Sequence, residues 1–528
     1  MANINHDQLA GSDLHDNKVY PATGTPLPSW TQTDARYTQP SRTINTTPPL
    51  TGGGNLSADR TISIPAATAS QHGYLSSNDW SAFSNKAYKT GYVVGLSSVW
   101  GNDYTGNGTT DNVALQAALG AINTDGSGEM FIRPGTYKIA SGLGGATVGQ
   151  YSNLSIRGSS RGQTILQATA GVPIITLGSG NATSGNIWRN ITISDLTIDM
   201  NNQIGGAYGI ALGICQDVLL ENIHFKNQKN GAKSMLFWGA SSGASSLMLP
   251  RNLIVKDCIF SDSDAGWEMV TLAQGLNVKF INCTFRDKSS IYALLNYGSH
   301  DVTFTNCHYE NCGNGVNGFG MTKFVGCDFY NANVSVLSYN TTFSTCSFEA
   351  DGTNTGLAGI RFLGYVQSGG ESFWDALPAN TGVSLKNNKI LGCTFKRCNS
   401  TAISSGTFTN YGGTNQLSSD DLEIADCSFE SSYWQGMDVK ANDLKLHNIT
   451  SYNSGQLGSS TVRFNFVFGA KKGLFEGLRS YDDQGTPTVS RDFFIDNQYA
   501  GNALPTQDLT FRDSAAVCRT TTPVALSP

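Results

Sequence analysis

One phrase recurs through the middle of the chain and limits what it can fold into: a small or polar residue, Cys, any residue, then an aromatic. It stands at Cys258 (DCIF), Cys283 (NCTF), Cys307 (NCHY), Cys327 (GCDF), Cys346 (TCSF), Cys393 (GCTF) and Cys427 (DCSF). Alternating apolar residues precede each copy, as in Leu253-Ile254-Val255 and Leu422-Glu423-Ile424. By subtraction, the central copies lie 25, 24, 20 and 19 residues apart. A period of roughly 20 to 30 residues built from short alternating strands is a solenoid signature. Helical repeats need amphipathic stretches of about ten residues or more, and a propeller needs about 40 residues per blade. Neither pattern is present. The same frame extends upstream to Ser159, Leu196 and Ile223, and downstream to Ile449, Leu478 and Ser514. The chain is therefore expected to be all-β, a right-handed parallel β-helix of roughly twelve coils.

Composition agrees and excludes several functions. Charged residues make up 14% of the 528, where ordinary globular chains have about 25%. The 59 glycines, with abundant Asn, Ser and Thr, suit a turn-rich β fold. A net charge of −6 without a basic stripe argues against nucleic acid as a partner. No apolar run is long enough to insert in a membrane, and MANINHDQLAGSDLHDNK does not read as a signal peptide, so synthesis in a cytoplasm is expected. The 11 cysteines are an odd number. Their closest spacings, Cys307 to Cys312 and Cys393 to Cys398, fit no zinc pattern. They are expected to be small apolar thiols stacked in a core, and no metal or cofactor is expected.

Three regions follow. Residues 1–90 are broken by YPATGTPLPSW, TTPPL and Gly52-Gly53-Gly54, with too little apolar sequence for a solitary core. Residues 91–150 should hold a helix capped by Thr110 or Asp111, with Val113, Leu115, Ala118, Leu119 and Ile122 on one face. Gly126 and Gly128 end it, Met130-Phe131-Ile132 reads as a strand, and Pro134-Gly135 as a turn. Residues 151–528 carry the coils and a short C-terminal cap.

LTGGGNLSADRTISI followed by GYLSSNDWSAFSNK resembles the N-terminal segments of phage tail fibres and tailspikes. GNGTTDNVALQAAL, a strand and RPGTY resemble the leading segment of pectate-lyase-like right-handed β-helices. That resemblance implies a helix covering the open N-terminal end of the solenoid. Together the two imply a homotrimer in the tail of a virion. Residues 1–90 would attach it to phage tail or virion proteins, and the β-helix would bind a bacterial surface polysaccharide. They also imply a depolymerase, by endo-glycosidic hydrolysis or by lyase chemistry, or a receptor-binding fibre with no activity.

Stacked coils turn the alignment into geometry, because equivalent residues lie ~4.8 Å apart along the axis. Asp262 and Asp287, four residues after the Cys on consecutive coils, would then stand near the ~5 Å of a retaining glycosidase pair. Asp262 and Glu310, two coils apart, would fall at the upper end of the inverting range. Glu268 lies nearby beside Trp267, and Glu371 and Asp375 flank Trp374 in a long insertion. Asp262, Asp287, Glu268, Glu371 and Asp375 are the catalytic candidates. Trp238, Trp267, Trp374, Tyr292 and Tyr411 are the candidates for stacking on sugar rings. An Asp after a strand is also a common turn former, so each carboxylate has a plain structural alternative. No histidine sits in a recognisable nucleophile motif.

Overall fold

In the computed structural model, residues 42–525 are described except for short internal segments and the longer stretches 77–90, 239–249, 363–384 and 454–463. The chain divides into two compact units, Met1–Lys89 and Thr90–Pro528. In the first, Thr43–Ile44 pairs antiparallel with Gly54–Asn55, and Thr51 bridges Ser63. No described side chain of this unit is buried, and Ile44, Leu50, Ile62, Ile64 and Tyr74 are exposed. A strand pair with no core is marginal in water by itself.

The second unit coils through three faces. One coil reads Arg251–Lys256 on the first face, Ile259–Phe260 on the second and Val270–Ala273 on the third. The next reads Leu276–Ile281, Thr284–Lys288 and Leu294–Tyr297. Each strand pairs in parallel with its equivalent one coil on: Val255 with Phe280, Phe280 with Phe304, Phe260 with Phe285, Phe285 with Tyr309. Parallel crossovers of L-residues are right-handed, and the fold is a right-handed parallel β-helix.

The recurring phrase has a physical reason at each position. The residue before the Cys takes a left-handed backbone: φ is 53° at Asp257, 52° at Asn282, 51° at Asn306 and 54° at Asp426, with Gly at 326 and 392. Asn, Asp and Gly tolerate that conformation best, which is why the phrase begins with a small or polar residue. The corner side chains also bond between coils, as Asn222 Nδ2 to Asp195 Oδ1 (2.7 Å) and Asn448 Nδ2 to Asp426 Oδ1 (3.0 Å). The Cys then points inward while its carbonyl accepts the ladder bond: Thr284 N to Cys258 O at 2.9 Å, His308 N to Cys283 O at 2.8 Å. The described cysteines are free and buried, and burial pushes the Cys283 and Cys307 thiols well up. The thiols are structural, as the sequence implied.

The aromatics form two ladders. Phe225, Phe260, Phe285, Tyr309, Phe329 and Phe348 stack at centroid distances of 4.8, 4.6, 4.8, 4.7 and 4.5 Å. Phe280, Phe304, Phe324 and Phe343 stack on the adjoining face and meet the first ladder edge-on, as at Phe324–Phe329 (66°). Such tilted contacts add to the area burial of each ring.

Helix α1, Asn112–Asp125, packs against the first strands of the unit and ends at Gly126 with φ 83°. Its buried residues are Ala114, Leu115, Ala118, Leu119 and Ile122. Val113, expected on that face, is 67% exposed; Ala114 takes the inward place. Asp111 does not cap the helix with its side chain. Its carboxylate accepts from Gly108 N (2.7 Å) and Lys138 N (2.8 Å), tying the helix start to strand Gly135–Ile139.

Candidate functional site

Inward positions are filled by the core, so chemistry is left to outward side chains and to the insertions at the corners. On the third face, Met235 is in register with Val270, which brings Lys233 beside Glu268. Lys233 Nζ pairs with Glu268 Oε1 and donates to Thr271 Oγ1 at 2.7 Å, and Thr271 donates to the same carboxylate. Glu268 is 4% exposed and Thr271 is 8% exposed, although neither belongs to the apolar core. Burial pushes the Glu268 carboxyl up, but the bonds from Lys233 and Thr271 outweigh it and hold the group below the ordinary glutamate range. Glu268 is therefore a shielded carboxylate kept ionised. It can act as a base, a nucleophile or a stabiliser of positive charge, and is poorly suited to donating a proton.

On the same coil, Asp262 lies at the corner between the second and third faces. It is exposed with φ 53°, and Asn227, Asn311, Asn331 and Arg397 take the same left-handed conformation at equivalent corners. An Asp there is accounted for by the turn alone. Its Oδ2 accepts from buried Ser261 Oγ at 2.7 Å, and that hydroxyl lies 2.8 Å from His224 Nε2. Burial lowers the His224 pKa, Lys226, Arg161 and Arg286 lower it further, and Asp262 opposes them. The imidazole is thus a neutral group among cations. Arg161 lies two coils earlier, where Thr197 Oγ1 donates to its carbonyl and its guanidinium donates to Asp257 O at 3.0 Å. Because Ser261 bonds both His224 and Asp262, the three form a relay with the hydroxyl in the middle, unlike a hydrolase triad, where the histidine is central.

Residues 99–317 match the family model described as rhamnogalacturonase A/epimerase, pectate lyase-like. No curated protein matches the chain. Among solved structures, the N-terminal fragment of gene product 12 of bacteriophage phi29 is 14% identical, over 75% of this chain and 70% of that one, with a TM-score of 0.50. The tailspike protein of E. coli bacteriophage HK620, solved with a pentasaccharide, is 12% identical over 83% and 82%, at 0.49. The A-module of the Azotobacter vinelandii mannuronan C-5 epimerase AlgE4 is 13% identical over 79% and 100%, at 0.46. At 14% identity the likeness to the phi29 fragment is one of fold alone.

The β-helix brings together some of the sequence candidates and not others. The pairing of Phe260 with Phe285 carries the register of Asp262 onto Asp287, whose backbone lies in strand Thr284–Lys288. The Asp287 side chain is outside the described residues, as is that of Trp238, whose backbone ends strand Lys233–Trp238. Trp267, Tyr292, Glu371, Trp374, Asp375 and Tyr411 all lie outside the described residues. Glu310 is in register with Arg286 on one side and Tyr330 on the other, one column away from that of Asp262. Sequence reasoning missed Lys233, Thr271 and Ser261, and the contact of Ser261 with His224. Coil register could have found them, once the insertion lengths on either side were known.

Proposed function

We propose that the chain is a tailspike or tail fibre of a tailed phage whose β-helix binds a bacterial surface polysaccharide and cleaves it internally by hydrolysis. Glu268 carries this reading. An outward carboxylate shielded from water and kept ionised costs desolvation and adds nothing to the apolar core. Such conditions are typical of working carboxylates. Glu268 serves as the ionised base or nucleophile, and Asp262, with Asp287 next to it in register, is the second carboxylate of the pair. Trp238, Trp267, Trp374, Tyr292 and Tyr411, with Glu371 and Asp375, would complete the glycan surface. Residues 1–90 attach a homotrimer to the virion, residues 91–150 cap the β-helix, and residues 151–528 form it. The first unit supports the attachment role: none of its described side chains is buried, and its exposed apolar residues need a partner. The shared fold with the phage gene product 12 fragment and the rhamnogalacturonase/epimerase family model supports the phage and polysaccharide parts.

Purified protein spotted on host lawns should give halos without lysis, and the released fragments should carry new reducing ends. Unchanged polysaccharide would assign the chain to the non-enzymatic fibres. A second reading, lyase chemistry, is favoured by His224: a neutral imidazole beside Arg161, Lys226 and Arg286 could take a proton while cations pair with a uronate carboxylate. Fragments with the ultraviolet absorbance of unsaturated uronides would select it over hydrolysis.

A further inference from the structure

The first face carries a pattern that the cleavage site does not use. Along one outward column the register runs Lys279, Thr303, Lys323, Thr342, Lys389, each in parallel pairing with the next. Lysine thus occupies every second coil, with threonine between. The three lysines are exposed. Among the described residues neither Lys279 nor Lys323 has an ion-pair or hydrogen-bond partner, whereas Lys389 pairs with Glu423 at 2.6 Å. The adjoining outward column over the same coils, Ile281, Thr305, Val325, Ser344 and Leu391, holds no charge. Asp301, at the corner before Thr303, is the nearest acidic residue in sequence. Lysines on adjacent coils would repel one another, and the intervening threonines relieve that. The result is a face marked by cations at a period of about 9.6 Å, twice the coil spacing, with an uncharged column on one side and Asp301 at its other edge.

We propose that this ladder is a second glycan-binding surface, fitted to an acidic polysaccharide with one negative group on every second sugar. An extended pyranose disaccharide is close to two coils in length, so successive anionic groups meet successive lysines while the sugars between lie on threonine and the apolar column. A polymer charged on every sugar sets half of its anions against threonine, and a neutral polymer gains nothing from the lysines. The surface lies on a different face from Glu268 and would hold a long chain to the spike while a distant segment is cut. The inference rests on the reading that the protein binds a surface polysaccharide.

The test uses the full-length protein with three immobilised probes: a polymer of alternating glucuronate and N-acetylhexosamine, polygalacturonate, and dextran. Wild type should prefer the alternating polymer, more weakly as salt is raised. A Lys279→Gln/Lys323→Gln variant should bind it about tenfold less tightly, the loss expected for two exposed ion pairs. Equal binding by variant and wild type would overturn the proposal, as would equal binding of dextran. Protection of Lys279 and Lys323 from acylation in the free protein would also overturn it, by assigning the face to contact between copies. Reducing-end release from host polysaccharide separates the two readings. Cleavage of a host glycan without preference for the alternating polymer sinks the ladder alone. Lysine-dependent binding without any cleavage sinks the hydrolytic function and leaves the ladder standing.

Discussion

Tyr309 stands where the second-face aromatic ladder otherwise carries Phe from residue 225 to 429, and replacing it with Phe should stabilise the protein. Its ring lies 4.8 Å from Phe285 and 4.7 Å from Phe329, both at 5° from parallel, so a Phe ring would stack in the same way. Its hydroxyl is buried and has no hydrogen-bond partner among the described residues. Burial also holds the phenol well above its ordinary pKa, so ionisation gives no relief. A buried hydroxyl left unpaired costs about 1–3 kcal/mol, and its removal should return about that amount. Coils of a solenoid can open in units, so the unfolding rate in guanidinium should be followed beside the equilibrium midpoint. Tyr309→Phe should raise the midpoint and slow unfolding. Phe285→Tyr, which adds a second hydroxyl to the same stack, should do the reverse. A Tyr309→Phe protein destabilised by about 1 kcal/mol or more would mean the hydroxyl is satisfied, and would refute the reasoning.

Three other outcomes follow from the corners, the thiols and the relay. Asn282→Ala should cost about 1 kcal/mol, because Asn282 sits at φ 52° where a Cβ is strained. Asn282→Gly should cost less, and comparison of the two denaturation midpoints checks this. None of the ten described cysteines should react with a thiol reagent in the native protein, and all should react on unfolding; rapid labelling of Cys283 or Cys307, mapped by mass spectrometry, would contradict the buried ladder. His224 has its pKa lowered by burial and by nearby cations, so the folded state binds a proton less readily than the unfolded one. Its contribution to stability should be present above about pH 6.5 and be lost as pH falls from there through the folded value. His224→Gln should flatten that dependence of the unfolding midpoint, and an unchanged slope would count against it.

The fold was legible because its signal repeats. A Cys and an aromatic return at fixed places in each coil, and the residue before the Cys is chosen by a left-handed corner, so many weak local signals agree. The helix was legible in extent and, at Leu115, Ala118, Leu119 and Ile122, in its buried face; only in the first turn, where Val113 and Ala114 differ too little in pattern, did the inward residue escape it. The site was less legible for a different reason. Lys233 meets Glu268 across 35 residues and His224 meets Ser261 across 37, both spans containing an insertion at 239–249. The Cys frame gives the start of each coil, but an insertion hides which third-face residues fall in register. Asp262 shows the converse: its column was readable, and the column proved to be one of left-handed corners.

The most direct test of the account is reducing-end release from host polysaccharide by Glu268→Gln. Removing one partner of a shielded ion pair strands Lys233, so a Lys233→Met/Glu268→Gln protein, with both charges removed, runs beside it. If Glu268 is the ionised carboxylate of a polysaccharide-cleaving β-helix, both proteins should bind the polysaccharide and release fragments at least about a hundredfold more slowly than wild type. Release at the wild-type rate by either would contradict it.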